Sequence, residues 1–108
     1  DCGKSETLLS TNRFLLEHSS KARNLKDVVI IPPVFIDDNA VVQRSVIGPY
    51  ATVAREAHVK DSVIRDTIVS DGATVENTLL EQSIIGNNAI VKGNFYHLNV
   101  GNSSEVNL

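Results

Sequence analysis

Residues 53–64 read Val53-Ala54-Arg55-Glu56-Ala57-His58-Val59-Lys60-Asp61-Ser62-Val63-Ile64. Val53 is followed four positions later by Ala57 and Val59 four positions later by Val63, and Ile64 opens the pattern again. Extended in both directions, the rule sets aliphatic starts at Ile31, Ile36, Val42, Ile47, Val53, Val59, Ile64, Val69, Val75, Leu80, Ile85 and Val91, each five or six residues from the next. Three such sides make one turn, so turns begin at Ile31, Ile47, Ile64 and Leu80, sixteen or seventeen residues apart. A period this short predicts a solenoid of about four coils, each burying its apolar residues against its neighbours.

Stacked coils place like residues in columns. Val42, Val59, Val75 and Val91 form one column, and Ala40, Ala57, Ala73 and Ala89 another, as expected where the prism has room only for a methyl group. The doublets Val46-Ile47, Val63-Ile64, Ile68-Val69, Leu79-Leu80 and Ile84-Ile85 fit if a five-residue side sets its last inward residue beside the next start. Outward positions support the same register: Asp38, Arg55 and Asp71 share a column, as do Lys60, Glu76 and Lys92, while Arg65 lies over Glu81 and Arg44 over Asp61. Asn39, Gly72 and Asn88 share a corner suited to left-handed backbone, with Glu56 the exception in that column. The rule also turns Val34, Val41, Tyr50 and Ile90 outward, with Val41, His58, Thr74 and Ile90 along one corner.

The flanks differ in character. Ser5 to His18 reads as one helix with Ser5 as N-cap and Leu8, Leu9, Leu15 and Leu16 on one face. Ser19 to Lys26 is polar and reads as a linker, and Val28 to Ile31 begins the β-type region, closed by Pro32-Pro33. The expected organisation is therefore residues 1–26 as helix and linker, 27–98 as β-solenoid and 99–108 as tail. A solenoid needs closed ends, and the helix is expected at the first, with Phe95, Tyr96 and Leu98 at the last.

Composition narrows the function classes. The 108 residues are 42% hydrophobic, which is enough for a core, but lack Trp and Met, so the core is aliphatic. A net charge of −3 without a basic cluster argues against nucleic-acid or anionic-membrane partners. One cysteine makes no internal disulfide, and no secretory or membrane-spanning run appears, so the expected setting is the cytoplasm.

The segments Ile47-Gly48-Pro49-Tyr50-Ala51 and Ile85-Gly86-Asn87-Asn88-Ala89 resemble the hexapeptide repeat, whose families fold as left-handed parallel β-helices. That resemblance implies a mainly β fold, a short left-handed parallel β-helix preceded by one α-helix. The opening residues Asp1-Cys2-Gly3-Lys4-Ser5-Glu6-Thr7-Leu8 resemble the Asp-x-Gly-x-x-x-x-Leu segment near the end of sugar-1-phosphate nucleotidyltransferase catalytic domains. Several branches of that family carry a β-helix after it. The resemblance implies that the chain is a non-catalytic C-terminal accessory and oligomerisation domain. The whole enzyme would join a nucleoside triphosphate to a sugar 1-phosphate and release pyrophosphate, with Asp1 helping to bind catalytic magnesium. No Gly-rich nucleotide loop, second carboxylate motif or β/α succession accompanies Asp1 here, so the chain alone is expected to be inactive and to bind neither substrate.

Two alternatives stay open. Hexapeptide acyltransferases use a histidine base at a subunit interface, and His58 is the candidate, although the sides run here without the projecting loop common in those enzymes and a surface corner residue is the favoured reading. A free-standing association module is the other. Cys2, His18 and His97 read as ordinary surface groups, and within the isolated chain Asp1 reads as a terminal acid. In each reading the outward apolar residues favour a closed homo-oligomer, dimer or trimer.

Overall fold

The chain is described by a computed structural model covering residues 2–108, with side chains from residue 3 onward. Helix α1 (Cys2–His18) is followed by the short strands β1 (Val28–Ile30), β2 (Val34–Ile36), β3 (Val41–Gln43), β4 (Ser45–Ile47), β5 (Ala51–Val53) and β6 (His58–Lys60). Then come β7 (Val63–Val69), β8 (Thr74–Glu76), β9 (Leu79–Ile85) and β10 (Ile90–Lys92). Every strand pairing is parallel, and the coils stack as a β-solenoid of about four turns.

Each coil has three flat faces, and on each face three residues run inward, outward, inward. The first face carries Val29, Val46, Val63 and Leu79 as its outward column, and Ile30, Ile47, Ile64 and Leu80 as an inward one. The second presents Phe35, Thr52, Ile68 and Ile84 outward, with Ile36, Val53, Val69 and Ile85 inside. The third presents Val41, His58, Thr74 and Ile90 outward over Val42, Val59, Val75 and Val91. Strands β7 and β9 run round a corner and join the first two faces into one sheet, while β10, β8, β6 and β3 form the other.

Corners of two lengths separate the faces, and this explains where the four-residue rule succeeds and fails. Across a three-residue corner the next inward residue comes four later, as in Ile47 to Ala51 and Val53 to Ala57, and Ala40, Ala57 and Ala73 are buried as expected. Across a two-residue corner it comes three later, at Ser45, Ser62, Thr67, Thr78 and Ser83. The doublet residues Val46, Val63, Ile68, Leu79 and Ile84 therefore face outward, not inward. The hydroxyls belong inside because each donates to the carbonyl two residues earlier: Ser45 to Gln43, Ser62 to Lys60, Thr67 to Arg65, Thr78 to Glu76 and Ser83 to Glu81, at 2.7–2.9 Å. Ser45 Oγ also accepts from the Ser62 amide, and Ser62 Oγ from the Thr78 amide.

The last residue of most corners is left-handed, whatever its type: Arg44, Tyr50, Glu56, Asp61, Asp66, Gly72, Asn77, Gln82 and Asn88 all have positive φ. Side-chain bulk there costs about 1–2 kcal/mol. The turn is held because corner amides donate to the coil before, Asp61 to Gln43 O, Asn77 to Lys60 O and Glu56 to Asn39 O, each at 3.1 Å. Glu56 thus obeys the corner geometry that its residue type hides. Asn39 is the one that departs: its amide donates instead to the Asp37 carboxylate at 2.8 Å. Gly48 is required where it stands, since a Cβ would meet the Ile31 carbonyl oxygen at 2.0 Å.

Several expected placements change. The first inward start is Ile30, paired with Ile47, and Ile31 is exposed because it opens the Pro32-Pro33 corner. Val34 is fully buried. Helix α1 begins at Cys2, so Ser5 lies within it and is not its N-cap. The helix packs against β7 and β9 along the second face and does not close the first end. That end is covered by the polar stretch after it. Lys21 bridges to Phe35, Ser20 Oγ donates to Val34 O, the Arg23 guanidinium donates to Asp37 O and Ala40 O, and Leu25 packs on the core. At the far end Phe95, Tyr96 and Leu98 stay exposed and do not close the core. Among the described residues no helix is long and apolar enough to cross a membrane.

Ala57→Leu should lower stability by about 1–3 kcal/mol, because the buried alanine column has no room for branching. Ser62→Ala should cost about 1–3 kcal/mol by stranding the Thr78 amide, while the Lys60 carbonyl keeps its bond from the Asn77 amide. Glu76→Ala, which removes only a 3.7 Å surface pair with Lys92, should cost under about 0.5 kcal/mol. Urea midpoints for the three variants test this order, and equal shifts would contradict the corner assignment.

Candidate functional site

Two surfaces stand out once the outward columns are placed, and they differ in what covers them. Of the second-face column, Thr52 and the β7 and β9 residues Ile68 and Ile84 lie on the side where α1 packs, and Phe35 is met by Lys21 just after the helix. Leu16 of the helix is buried at 4% exposure, and the Thr52 hydroxyl donates to Asn12 Oδ1. Tyr50 at the adjacent corner donates its hydroxyl to Glu17 at 2.9 Å, and the Arg13 guanidinium lies 3.9 Å from the centre of its ring. That carboxylate raises the Tyr50 pKa above the ordinary phenol value. Arg13 Nε also sits 3.7 Å from Asp66, within ion-pair range but too far for a hydrogen bond. Tyr50, expected on a free outer face, is thus part of the junction between helix and solenoid.

The first-face column is uncovered. Val29, Val63 and Leu79 are 57%, 37% and 81% exposed, Val46 lies half-buried between the first two, and Phe95 lines the same shallow groove. This apolar stripe was written in the sequence as the first members of the doublets, but the uniform four-residue rule turned them inward. Its rim is charged. Arg44 binds Asp61 through two hydrogen bonds, of 2.7 and 3.2 Å, and Arg65 meets Glu81 at 2.6 Å. The Arg44 guanidinium holds the Asp61 carboxyl below the ordinary range, and Asp61 raises Arg44 in turn.

The candidate chemical residues are not brought together. Asp1 lies outside the described residues, and the side chain of Cys2 does too. His58 sits in the middle of the third face and not at a corner, between Val41 and Thr74, exposed and without a side-chain hydrogen bond or ion pair among the described residues. His18 stacks edge-on against Phe14 at 4.6 Å, and His97 is exposed in the tail. Among the described residues no three His, Cys, Asp or Glu side chains are grouped so that they could hold a metal ion.

Because the Asp61 carboxyl titrates lower folded than unfolded, its contribution to stability is present above the ordinary carboxylate range and is lost as pH falls through the folded value. The urea midpoints of the wild-type chain and Asp61→Asn should therefore differ at neutral pH and converge as pH falls towards about 2. A gap that widens on acidification would contradict the assignment.

Comparison with protein-family models, with curated proteins and with solved structures finds no match.

Proposed function

We propose that this chain is a non-catalytic accessory and assembly domain of a sugar-1-phosphate nucleotidyltransferase, placed at the C-terminal side of the catalytic part. The observation that carries the reading is the docked helix. Gly3 and Leu8 of the segment that resembles the end of a nucleotidyltransferase catalytic domain lie in the first turns of α1, and α1 is fastened along the second face by Leu16, Asn12, Glu17 and Arg13. A helix held by both apolar burial and side-chain hydrogen bonds is a stiff joint, so an N-terminal catalytic part would be carried at a set angle to the solenoid.

In the reaction of the whole enzyme a sugar-phosphate oxygen attacks the α-phosphorus of the nucleoside triphosphate and pyrophosphate leaves. The nucleotide-binding residues and the partners of Asp1 at the metal belong, in this reading, to the part preceding this chain. The acyltransferase alternative would need His58 to act as a base, and nothing beside His58 on the third face orients an imidazole for that task.

Pyrophosphate release is the test. The chain alone, with any nucleoside triphosphate, sugar 1-phosphate and magnesium, should give none above a protein-free control. The longer protein that includes the preceding segment should turn over, and Asp1→Asn in it should lower the rate by at least about ten-fold, since a neutral amide replaces a metal-binding carboxylate. Turnover by the chain alone, an unaffected Asp1→Asn enzyme, or acyl transfer from acyl-coenzyme A would overturn the reading.

A further inference from the structure

We propose that the uncovered first face pairs with the first face of a second copy, antiparallel, about a two-fold axis lying in the face, perpendicular to the solenoid axis and passing between the second and third coils. The pairing rests on the assembly role proposed above and names its surface. The same molecule supplies the internal comparison. The second face has an apolar outward column and a helix covering it, whereas the first face has an all-aliphatic column, Val29, Val46, Val63 and Leu79, and no such cover.

Charge decides the occupant and the direction. The corner beside this column stacks Asp27, Arg44, Asp61 and Asn77 in consecutive coils, two residues before Val29, Val46, Val63 and Leu79 respectively. An antiparallel two-fold exchanges the second and third coils, so Arg44 of each copy meets Asp61 of the other. The two intramolecular pairs then join into a ring of four alternating charges. Asp27 meets the neutral Asn77, and on the opposite rim Arg65 and Glu81 meet Gly48 and Ile31, so no like charges are opposed. Val46 meets Val63 at the centre and Val29 meets Leu79 at the ends. The opposite choice, with the solenoids parallel, would crowd the exposed Phe95 and Tyr96 of both copies together at one end, whereas the antiparallel one carries each Phe95 towards the partner's Val29. Four rungs about 4.8 Å apart make a column only about 14 Å long. That is well below a standard interface, so the isolated chain should dimerise weakly, at roughly tens to hundreds of micromolar.

Sedimentation equilibrium from about 10 to about 500 µM covers that range. Wild-type chain should shift with concentration from 11.7 kDa towards about twice that mass. Leu79→Glu, at an exposed position, should keep its urea midpoint and weaken association at least about ten-fold. Arg44→Asp and Asp61→Arg should each be monomeric alone, while their equimolar mixture recovers the dimer as a one-to-one heterodimer, because each altered charge then meets its opposite across the axis. A wild-type chain that stays at 11.7 kDa throughout overturns the pairing and the assembly role with it. An oligomer untouched by Leu79→Glu, or a mixture no tighter than either variant alone, overturns this face and this direction while leaving the assembly role standing.

Discussion

The hydroxyl that closes each two-residue corner is the interaction on which the rest of this solenoid depends. A parallel coil must turn three times within sixteen or seventeen residues, and a short turn drives backbone polar groups towards an aliphatic interior where water does not reach. At Ser45, Ser62, Thr67, Thr78 and Ser83 a side-chain hydroxyl meets the carbonyl two residues back, and Ser45 and Ser62 also receive an amide from the next coil. Wherever the corner has a third residue the demand disappears, and the corresponding inward position is Ala or Val. Corner length therefore selects the chemistry of the residue that follows, and that residue keeps successive coils in phase.

This dependence explains what was legible in the sequence and what was not. The alanine and valine columns of the third face are small apolar residues at a regular period, and reading them from sequence required no knowledge of the corners. The doublets invited the opposite mistake. Ser62 is polar and Val63 is aliphatic, so a rule based on hydropathy buries the valine and exposes the serine, whereas a local hydrogen bond hides the polarity of the serine and the strand pleat turns the valine out. Val46, Val63, Ile68, Leu79 and Ile84 were misplaced for that reason, whereas the third-face column was not. Glu56 shows the same limit from the other side, because its left-handed backbone is held by the hydrogen bond its amide donates to Asn39 O in the coil before and not by its own preference.

Helix α1 was recognisable by its leucines, but not its place. Its inner contacts include Asn12 to Thr52 and Glu17 to Tyr50, polar partners 40 and 33 residues apart, and nothing in the local pattern of either segment announces them. The first end of the solenoid was hidden similarly: Lys21 and Arg23 look like solvated linker charges, yet the backbone of one and the guanidinium of the other answer the exposed carbonyls of the first coil. The candidate site shared this difficulty, since the exposed stripe of the first face is visible only after the register of the corners is known.

The in–out–in arrangement of every face assigns a single side chain per coil to the outside of that face. A whole surface of this protein is thus specified by four residues, and none of the four contributes to the packed interior. Evolution, or an engineer, could convert the valine and leucine stripe into an acidic strip, an aromatic ladder or a row of metal-binding histidines by four substitutions, leaving the corner hydroxyls and the alanine column untouched. The scaffold separates the residues that make it fold from those that determine what it meets, and it does so at a spacing of one rung, about 4.8 Å.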